Sequence, residues 1–300
     1  MTPPLWIDEA RLRAVLPYRV AVAALGEALR RPETTSGTPP RQVINAPSGQ
    51  LLLMPSVLPD FAGVKVVTIA PDNPGRGLPR INGVYVLFDP ETLVPVAQFD
   101  AAALTAVRTA AVSALAVDRQ AAPDASRLLV FGAGPQAHSH VEAIAAVRPL
   151  RAVAVVARRL AAAVVERAEG LGVESRAAGV EALPGAHIVA CCTTAREPLF
   201  DSSSLRPDAT VVAVGSHEPD AREVDAALVR RATVVVESRW SAATAGDLVL
   251  AGGLDDLVAG DLTDLVAGRI RPETGRPRLF KSVGEAWEDL VVAAAAYRRL

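Results

Sequence analysis

The sequence predicts an α/β protein of two domains, one built on a parallel sheet and the other of α+β type. Three observations support this prediction. A strand, a glycine-rich turn and a helix occupy residues 127–147, and strands alternate with helices from there onwards. Several short strands follow one another before that point. The chain has 300 residues and half of them are apolar, which is enough for about two domains with substantial cores.

Composition excludes several classes of protein. The formal net charge is −2 with no basic run, so no nucleic-acid partner is expected. The N-terminus lacks the basic head and apolar block of a signal peptide, and no uninterrupted apolar segment approaches the length of about 20 residues that spans a membrane. We therefore expect a cytoplasmic protein without membrane contacts. The adjacent Cys191 and Cys192 are interpreted as core thiols, neither disulfide nor metal ligands.

Lysine is scarce in this chain. Only Lys65 and Lys281 are lysines, against 29 arginines. An ammonium group is compact and can lose its proton when buried, which a guanidinium does not do. Lys65 lies in an apolar strand and is therefore a candidate for chemistry, whereas for Lys281 chance is as good an explanation.

The sequence pattern of residues 4–117 predicts helices before and after a set of antiparallel strands. Residues 4–31 open with Leu5-Trp6-Ile7 and continue as a helix, and residues 32–40 form a loop. A long alanine-rich helix is predicted at 102–117. Strands separated by turn residues are predicted at 41–44, 50–54, 63–70, 84–88 and 94–99.

From Arg127 the pattern changes to alternating strands and helices, which gives a parallel sheet covered on both faces. Helices are predicted around 136–147, 160–170 and 224–231, and an amphipathic helix at 282–300. Strands are predicted at 128–131, 152–157, 173–175, 188–192, 210–214 and 233–236.

The turn Gly132-Ala133-Gly134-Pro135-Gln136-Ala137 has the spacing of a dinucleotide-binding loop of the Rossmann type. The first glycine allows the tight turn, the second lets a pyrophosphate approach the backbone, and Ala137 lets the helix pack against the strand. The helix N-terminus offers N–H groups to the phosphates. A glycine-rich turn without a ligand is the alternative.

The residues after the second strand indicate which nucleotide binds. An acidic residue there binds the ribose 2′-hydroxyl of NAD, but this chain has Arg158 and Arg159. Two guanidinium groups suit a 2′-phosphate, so we expect NADP(H) in preference to NAD(H), with NAD(H) possible. Alternatively, the two arginines only solvate the start of the next helix.

Seven motifs, in this order and spacing, resemble the ornithine cyclodeaminase/μ-crystallin family over nearly the whole chain. They are PPRQVI (39–44), MPS (54–56), GVKVVT (63–68), LTAVRTAA (104–111), FGAGPQA (131–137), VGSHEPDAREVD (214–225) and FKSVG (280–284).

The resemblance implies a fold and a set of activities. Residues 1–117, completed by a C-terminal helix at 284–300, would form a substrate-binding and dimerisation domain, and 118–283 a Rossmann domain. The activities in the family include ornithine cyclodeamination, alanine dehydrogenation and NAD(P)H-dependent reduction of ketimines such as Δ1-pyrroline-2-carboxylate. A homodimer is expected by the same resemblance.

By matching motif positions, Arg41, Lys65 and Arg108 resemble the family's residues for the substrate carboxylate. Two planar guanidinium forks can clamp a carboxylate, and Lys65 is placed to bond it or to assist proton transfer. Arg41 could instead cap a strand and Arg108 could solvate a helix, although an arginine among small apolar residues is costly to bury without an anion. The resemblance places cofactor contacts at the glycine turn and at Thr105, Gln136, Thr193, Thr194, Ser216 and Ser282.

The chain departs from the cyclodeaminase at one position. His217 stands where that enzyme has an aspartate implicated in deprotonating the amine and in cyclisation. Histidine also exchanges protons near neutral pH. Alternatively, His217 is a loop histidine that touches only ribose or water.

Four hypotheses follow. The first is an NAD(P)H-dependent reductase of a cyclic α-imino acid, Δ1-pyrroline-2-carboxylate or Δ1-piperideine-2-carboxylate, with His217 or water as a proton source. The second is ornithine cyclodeaminase, and the third is an alanine-type dehydrogenase. The fourth is a non-catalytic protein that keeps the fold and the nucleotide.

Overall fold

The computed structural model describes residues 3–31, 33–36, 38–252 and 256–300, without the side chain of Ser241. Pro32 and Gly37 of the predicted loop lie outside these residues. The chain forms two compact units, unit 1 (Met1–Arg108 with Glu285–Leu300) and unit 2 (Thr109–Gly284). The predicted boundary after residue 117 lies in the same helix as the division between these units.

Unit 1 is built on a mixed sheet in the order β1-β6-β5-β4-β3-β2. The predicted strands are confirmed as antiparallel neighbours, and β1 adds to β6 in parallel. Most of them run longer than predicted. The strands are β1 (Leu5–Ile7), β2 (Gln42–Ala46), β3 (Gly49–Leu58), β4 (Phe61–Ile69), β5 (Ile81–Phe88) and β6 (Pro95–Asp100).

The helices of unit 1 correct two predictions. The single helix predicted before residue 31 is two helices, because Pro17 stands between them and has no N–H to donate. The predicted loop contains a short helix. The helices are α1 (Glu9–Val15), α2 (Tyr18–Ala28), α3 (Glu33–Ser36), the start of α4 (Ala101–Gln120) and α11 (Ala286–Tyr297).

The helix α11 is not amphipathic as predicted. It is buried on almost every side, including the acidic Glu288 and Asp289. It packs on β3, β4 and β5 and against α2. The row of residues Met54, Lys65, Tyr85, Phe99 and Ile7 crosses this covered side of the sheet in register and is buried. Lys65 therefore lies in the core of unit 1.

The other face of the same sheet is apolar and partly open. Neighbouring strands pair Leu53 with Val66 and Val66 with Val84, and none of the three is fully buried. Trp6 and Val57 on this face are 51% and 74% exposed. An extended apolar surface of this kind is typical of a protein interface.

Helix α4 has the length and hydropathy of a membrane span, but 83% of that window is buried inside the fold. It begins where Asp100 Oδ1 accepts hydrogen bonds from the N–H groups of Ala102 and Ala103, which are the first donors of the helix. This burial is that of a core helix.

Unit 2 is built on a parallel sheet, as predicted, and its strands lie in the order β13-β12-β14-β11-β10-β7-β8-β9. Both β13 and β14 were missed, because four-residue strands bordered by glycine, proline and charged residues give little periodic signal. The strands are β7 (Arg127–Phe131), β8 (Ala152–Val156), β9 (Glu174–Ala177), β10 (Ile188–Cys191), β11 (Thr210–Ala213), β12 (Thr233–Val236), β13 (Val258–Asp261) and β14 (Arg278–Lys281).

The chain order of unit 2 reverses between β7 and β10, since the chain runs from β7 to β9 on one side and returns to β10 on the other. In sheets of this kind, ligands bind at the carboxyl ends of the strands beside such a reversal. The helices are α5 (Pro135–Val147), α6 (Ala161–Glu169), α7 (Ala226–Arg231), α8 (Arg239–Ala242), α9 (Gly246–Val249) and α10 (Leu262–Val266).

Candidate active site

The carboxyl ends of five neighbouring strands of unit 2 carry the nucleotide residues predicted for that unit. Gly132–Gln136 follow β7, Arg158 and Arg159 follow β8, and Thr193 and Thr194 follow β10. Ser216 follows β11 and Ser282 follows β14. Because parallel strands end at one edge, the fold brings these scattered segments together at the point where the strand order reverses.

The glycine turn has the geometry that the sequence predicted. Gly132 has φ +114°, and a Cβ atom there would lie 2.4 Å from the carbonyl oxygen of Cys192. Gly134 precedes α5, where an added Cβ would meet nothing within 4 Å and no side chain caps the helix. The open space and the uncapped helix end fit a pyrophosphate. Ala133 and Pro135 complete the turn, and Ala137 is buried beneath it.

Arg158 and Arg159 are exposed directly after β8. Leu160 follows them in the left-handed conformation, with φ 63°, and precedes α6. The strand pairs with β7, so the segment that carries the two arginines follows the strand next to the one that leads into the glycine turn. No carboxylate of the 157–160 segment competes with them for a phosphate.

The loops after β10 and β11 are held by one buried carboxylate. Glu223 accepts hydrogen bonds from the N–H and hydroxyl of Thr193, both at 2.7 Å, and from the N–H of Gly215 at 2.7 Å. Burial raises the pKa of Glu223, against the opposing influence of the Lys281 charge. The Thr193 hydroxyl therefore faces the interior, while Thr194 is exposed.

The turn after β14 is fixed in a similar way by Glu237, which is almost fully buried. This carboxylate accepts hydrogen bonds from the hydroxyl of Ser282 and from the N–H groups of Val283 and Gly284, at 2.8 and 2.6 Å. Sequence reasoning missed both Glu223 and Glu237. Glu223 is one of four acids in the segment 214–225 and Glu237 is a single acid after β12, and only the fold reveals their partners.

His217 is half-buried in the loop after β11. The residue before it, Ser216, donates its hydroxyl hydrogen bond to the carbonyl of Ala221. Two acids that follow it, Glu218 and Asp220, both pair with Arg196 of the loop after β10. These contacts hold the loop that carries His217 in one conformation. Gln136 also lies at this edge, with its Oε1 atom buried and without a hydrogen-bond partner among the described residues.

Unit 1 contains a buried cluster of charges around Lys65. The Lys65 ammonium lies 2.7 Å from Asp289 Oδ2 and donates to the hydroxyl of Thr105 at 3.3 Å. Arg108 pairs with Glu288 Oε2 at 2.7 Å and with Asp289 Oδ1 at 3.2 Å. Thr105 was predicted to contact the cofactor, and the structure places its hydroxyl against Lys65. Because Lys65 and Arg108 have buried anionic partners, their burial does not leave an isolated charge.

Burial lowers the pKa of Lys65 from 10.5 to about 8, even though the Asp289 charge raises it. The positive charges of Arg108 and Arg41 lower the pKa of Lys65 as well. Arg41 is half-buried just before β2. The geometry thus gathers Arg41, Lys65 and Arg108 into one electrostatic neighbourhood, with an ammonium group able to titrate near neutral pH.

Sequence reasoning missed three members of the cluster, Tyr85, Glu288 and Asp289. The Tyr85 hydroxyl is buried without a hydrogen-bond partner among the described residues, and burial raises its pKa well above the usual range. The available signal was the pair of acids inside the otherwise apolar segment EAWEDLVVAAAAY. The expectation of an amphipathic helix placed these acids on a solvated face.

Metal ligands and thiols give no further site. Among the residues described above, no group of three or more His, Cys, Asp and Glu side chains is placed to hold a metal ion. Cys191 and Cys192 are buried free thiols whose pKa values are raised by burial. His140 is buried between the carbonyl of Gln136 and the hydroxyl of Ser113, and burial lowers its pKa to about 4.

Comparison with known proteins finds relatives along almost the full chain. The model of the ornithine cyclodeaminase/mu-crystallin family matches residues 14–300. Ketimine reductase mu-crystallin of Mus musculus is 33% identical over 280 residues, which cover 92% of this chain and 89% of that protein. The Δ1-pyrroline-2-carboxylate/Δ1-piperideine-2-carboxylate reductase of Azospirillum brasilense is 33% identical over 311 residues, covering 99% and 96%.

Two solved structures share the fold. Thermococcus litoralis Δ1-pyrroline-2-carboxylate reductase, in complex with NADH and L-proline, has a TM-score of 0.92 and 30% identity, with 98% of this chain and 97% of that chain covered. An archaeal alanine dehydrogenase dimer with bound NAD has a TM-score of 0.90 and 26% identity, covering 99% and 95%.

Proposed function

Because the chain belongs to the ornithine cyclodeaminase/μ-crystallin family, we propose that it is a nicotinamide-dependent reductase of a cyclic α-imino acid. The substrate class is Δ1-pyrroline-2-carboxylate or Δ1-piperideine-2-carboxylate, and the product is the corresponding cyclic amino acid, such as L-proline. The observation that carries the proposal is the buried cluster of Lys65 and Arg108 in unit 1. Two relatives whose names state these substrates support it.

The charges of the cluster suit a single carboxylate. Arg41, Lys65 and Arg108 supply three positive charges, and two negative charges come from Glu288 and Asp289, which pair with Lys65 and Arg108. A substrate carboxylate would be the third anion among these three cations. Guanidinium groups bind a carboxylate through charge-assisted hydrogen bonds and fix its orientation.

Reduction of the C=N bond requires a hydride at carbon and a proton at nitrogen. A reduced nicotinamide held at the glycine turn would supply the hydride and become the oxidised cofactor. Lys65 has the protonation behaviour of a proton donor, because its pKa of about 8 keeps it charged at neutral pH and still lets it release a proton. His217, in the loop after β11, is the other candidate donor predicted from the sequence.

The cofactor preference is part of this proposal. Arg158 and Arg159 are exposed at the end of β8, where an NAD-binding unit carries an acid. We therefore assign NADP(H) as the preferred cofactor, with NAD(H) accepted more weakly.

A homodimer is proposed on the open face of the unit 1 sheet. The apolar rows through Leu53, Val66 and Val84 and the exposed Trp6 and Val57 are covered when a second copy packs there. A structural relative described as a dimer supports the proposal of a dimer, and the choice of this face rests on its exposed apolar residues. Light scattering of Val57→Asp against wild type tests it, since a charge on this face should give monomers. A cytoplasmic location stays a prediction from the sequence.

The test of the activity is the loss of reduced-nicotinamide absorbance with each imine, using NADPH and NADH in turn. We expect turnover with Δ1-pyrroline-2-carboxylate or Δ1-piperideine-2-carboxylate, faster with NADPH, and none in Lys65→Met. Ammonia release from L-ornithine without net NADH would instead identify a cyclodeaminase. Cofactor consumption by pyruvate and ammonia would identify an alanine-type dehydrogenase, and cofactor binding without turnover of any of these substrates a non-catalytic protein.

A further inference from the structure

Asp289 touches Lys65 and Arg108, two of the three cations for which the sequence predicted a role in binding the substrate carboxylate. Its Oδ2 atom lies 2.7 Å from Lys65 Nζ and its Oδ1 atom 3.2 Å from Arg108 Nε. All three side chains are at least nine-tenths buried. The Asp289 carboxylate therefore fixes the distance between the ammonium and guanidinium groups and the direction in which each of them points.

The location of Asp289 explains why this carboxylate can be buried. It lies in the first turn of α11, where the positive end of the helix dipole favours an anion. The neighbouring Glu288 occupies the same turn but pairs with Arg108, at 2.7 Å. The two adjacent acids thus share Arg108, and Asp289 forms an ion pair with Lys65 as well.

The groups that face Lys65 come from every element around it. They are Asp289 of α11, Arg108 and Thr105 of α4, Arg41 ahead of β2, and Tyr85, the register partner of Lys65 on β5. Two of these groups are positive and oppose a charge on Lys65, as does burial, whereas Asp289 favours it. Without the carboxylate, an ammonium beside two guanidinium groups in a buried site loses its proton at neutral pH.

We propose that Asp289 is a positioning residue that keeps Lys65 protonated and directs its ammonium group, so that the cation is ready when an imino-acid carboxylate arrives. The role of this ammonium in reduction rests on the function proposed above. The effect on Lys65 itself does not, and it can be measured in the absence of any substrate.

The scarcity of lysine makes the measurement direct. Protein labelled with ¹³C at the lysine ε carbon gives signals from Lys65 and Lys281 only, and the spectrum of Lys65→Met assigns them. The ε-carbon shift is followed against pH in wild type, in Asp289→Asn and in the matched control Glu288→Gln. In Asp289→Asn we expect the Lys65 midpoint to fall by about one to three pH units, as for loss of an adjacent opposite charge.

The control separates this role from a general loss of buried negative charge. Glu288→Gln removes a carboxylate from the same helical turn, and the Lys65 midpoint should change much less. An unchanged midpoint in Asp289→Asn, or an equal fall in both variants, would overturn the proposal. Should Asp289→Asn not fold, wild type labelled with ¹³C at the aspartate carboxyl carbon decides, because the signal of one aspartate must move at the pH at which Lys65 titrates.

Kinetics then connect the pair to catalysis. In Asp289→Asn the alkaline limb of kcat/KM should move to lower pH by the same amount as the Lys65 midpoint, whereas a merely structural residue would lower activity evenly across the profile. If no cyclic imine is turned over by the wild type, the proposed function fails while the titration still decides the role of Asp289. If turnover occurs and the limb does not move with the midpoint, Asp289 does not position Lys65 for the reaction.

Discussion

Lys281 Nζ lies 2.9 Å from Asp247 Oδ2, and both side chains are almost completely excluded from solvent. The ammonium also donates to the carbonyl of Ser216 at 2.6 Å. Asp247 Oδ1 in turn accepts from the N–H groups of Glu223 and Val224. This buried pair therefore connects β14 to the loop that carries His217.

The first prediction concerns this pair. Lys281→Met leaves Asp247 buried without its cation, and breaking a buried pair in this way should lower the free energy of unfolding by about 3–5 kcal/mol. Urea unfolding measures this decrease in the free energy of unfolding. The double variant Lys281→Met/Asp247→Leu should recover part of the loss, since Asp247 is no longer left as a buried carboxylate without its cation. A loss below about 1 kcal/mol, the size of an exposed pair, would contradict the buried role.

Both lysines of the chain prove to be buried and paired with a buried aspartate, one in each unit. Their scarcity in the sequence marked Lys65 as functional and left Lys281 undecided. The aspartate partner could not be anticipated for either lysine, because Asp247 and Asp289 are distant in sequence from Lys281 and Lys65. Long-range ion pairs leave no periodic pattern, whereas the glycine turn and the strand alternation do.

The secondary structure and the parallel sheet were predictable because their sequence signals are local. Strands of β-branched residues between helical segments specify a parallel sheet locally, and the antiparallel strands of unit 1 are separated by turn residues. What could not be predicted is the position of β14 between β11 and β12, which brings Ser282 to the same edge as Ser216. The sequence pattern also does not reveal that α11 is buried on almost every side. The partners of its two acids, Lys65 and Arg108, could therefore not be predicted either.

The two glycines of the turn should respond differently to alanine. Gly132→Ala places a Cβ 2.4 Å from a carbonyl oxygen at φ +114°, so it should destabilise the protein by about 1–3 kcal/mol. Gly134→Ala meets open space at φ −87°, so stability should change little. Its methyl group nevertheless occupies the approach of a pyrophosphate, and nucleotide affinity should fall.

Thermal unfolding without nucleotide and fluorescence titration with NADPH separate these two effects. Gly134→Ala serves as the stability control for Gly132→Ala within one turn. If Gly134→Ala binds NADPH as tightly as the wild type does, the open space beside it is not the pyrophosphate site.

Cofactor preference should depend on Arg158 and Arg159. The double variant Arg158→Ala/Arg159→Ala removes two charge-assisted hydrogen bonds to a 2′-phosphate, each contributing about 1.5–3 kcal/mol, so NADPH affinity should fall at least tenfold. NADH affinity should hardly change, since NADH lacks this phosphate. Arg151→Ala is the matched control, because Arg151 is exposed at the opposite end of the same strand. Equal losses for NADPH and NADH would exclude 2′-phosphate recognition.

Lys65 links activity and stability to pH in opposite directions. Its folded-state pKa of about 8 lies below the ordinary value of 10.5, so between these values the unfolded chain binds more protons than the folded chain. In this window the contribution of Lys65 makes the protein more stable as pH rises, and this slope should be absent in Lys65→Met. Activity should instead decline above about pH 8, as the protonated amine is lost.

Lys65→Arg distinguishes the two roles of the residue. Arginine keeps a positive charge for the carboxylate but does not give up a proton in this pH range. If Lys65 donates the proton, Lys65→Arg should keep a KM near that of the wild type and lose kcat by about 10²–10⁴-fold, the usual contribution of a general acid. Lys65→Met should both raise KM and lower kcat. A kcat in Lys65→Arg close to that of the wild type would reduce Lys65 to a carboxylate ligand and leave His217 as the remaining candidate donor.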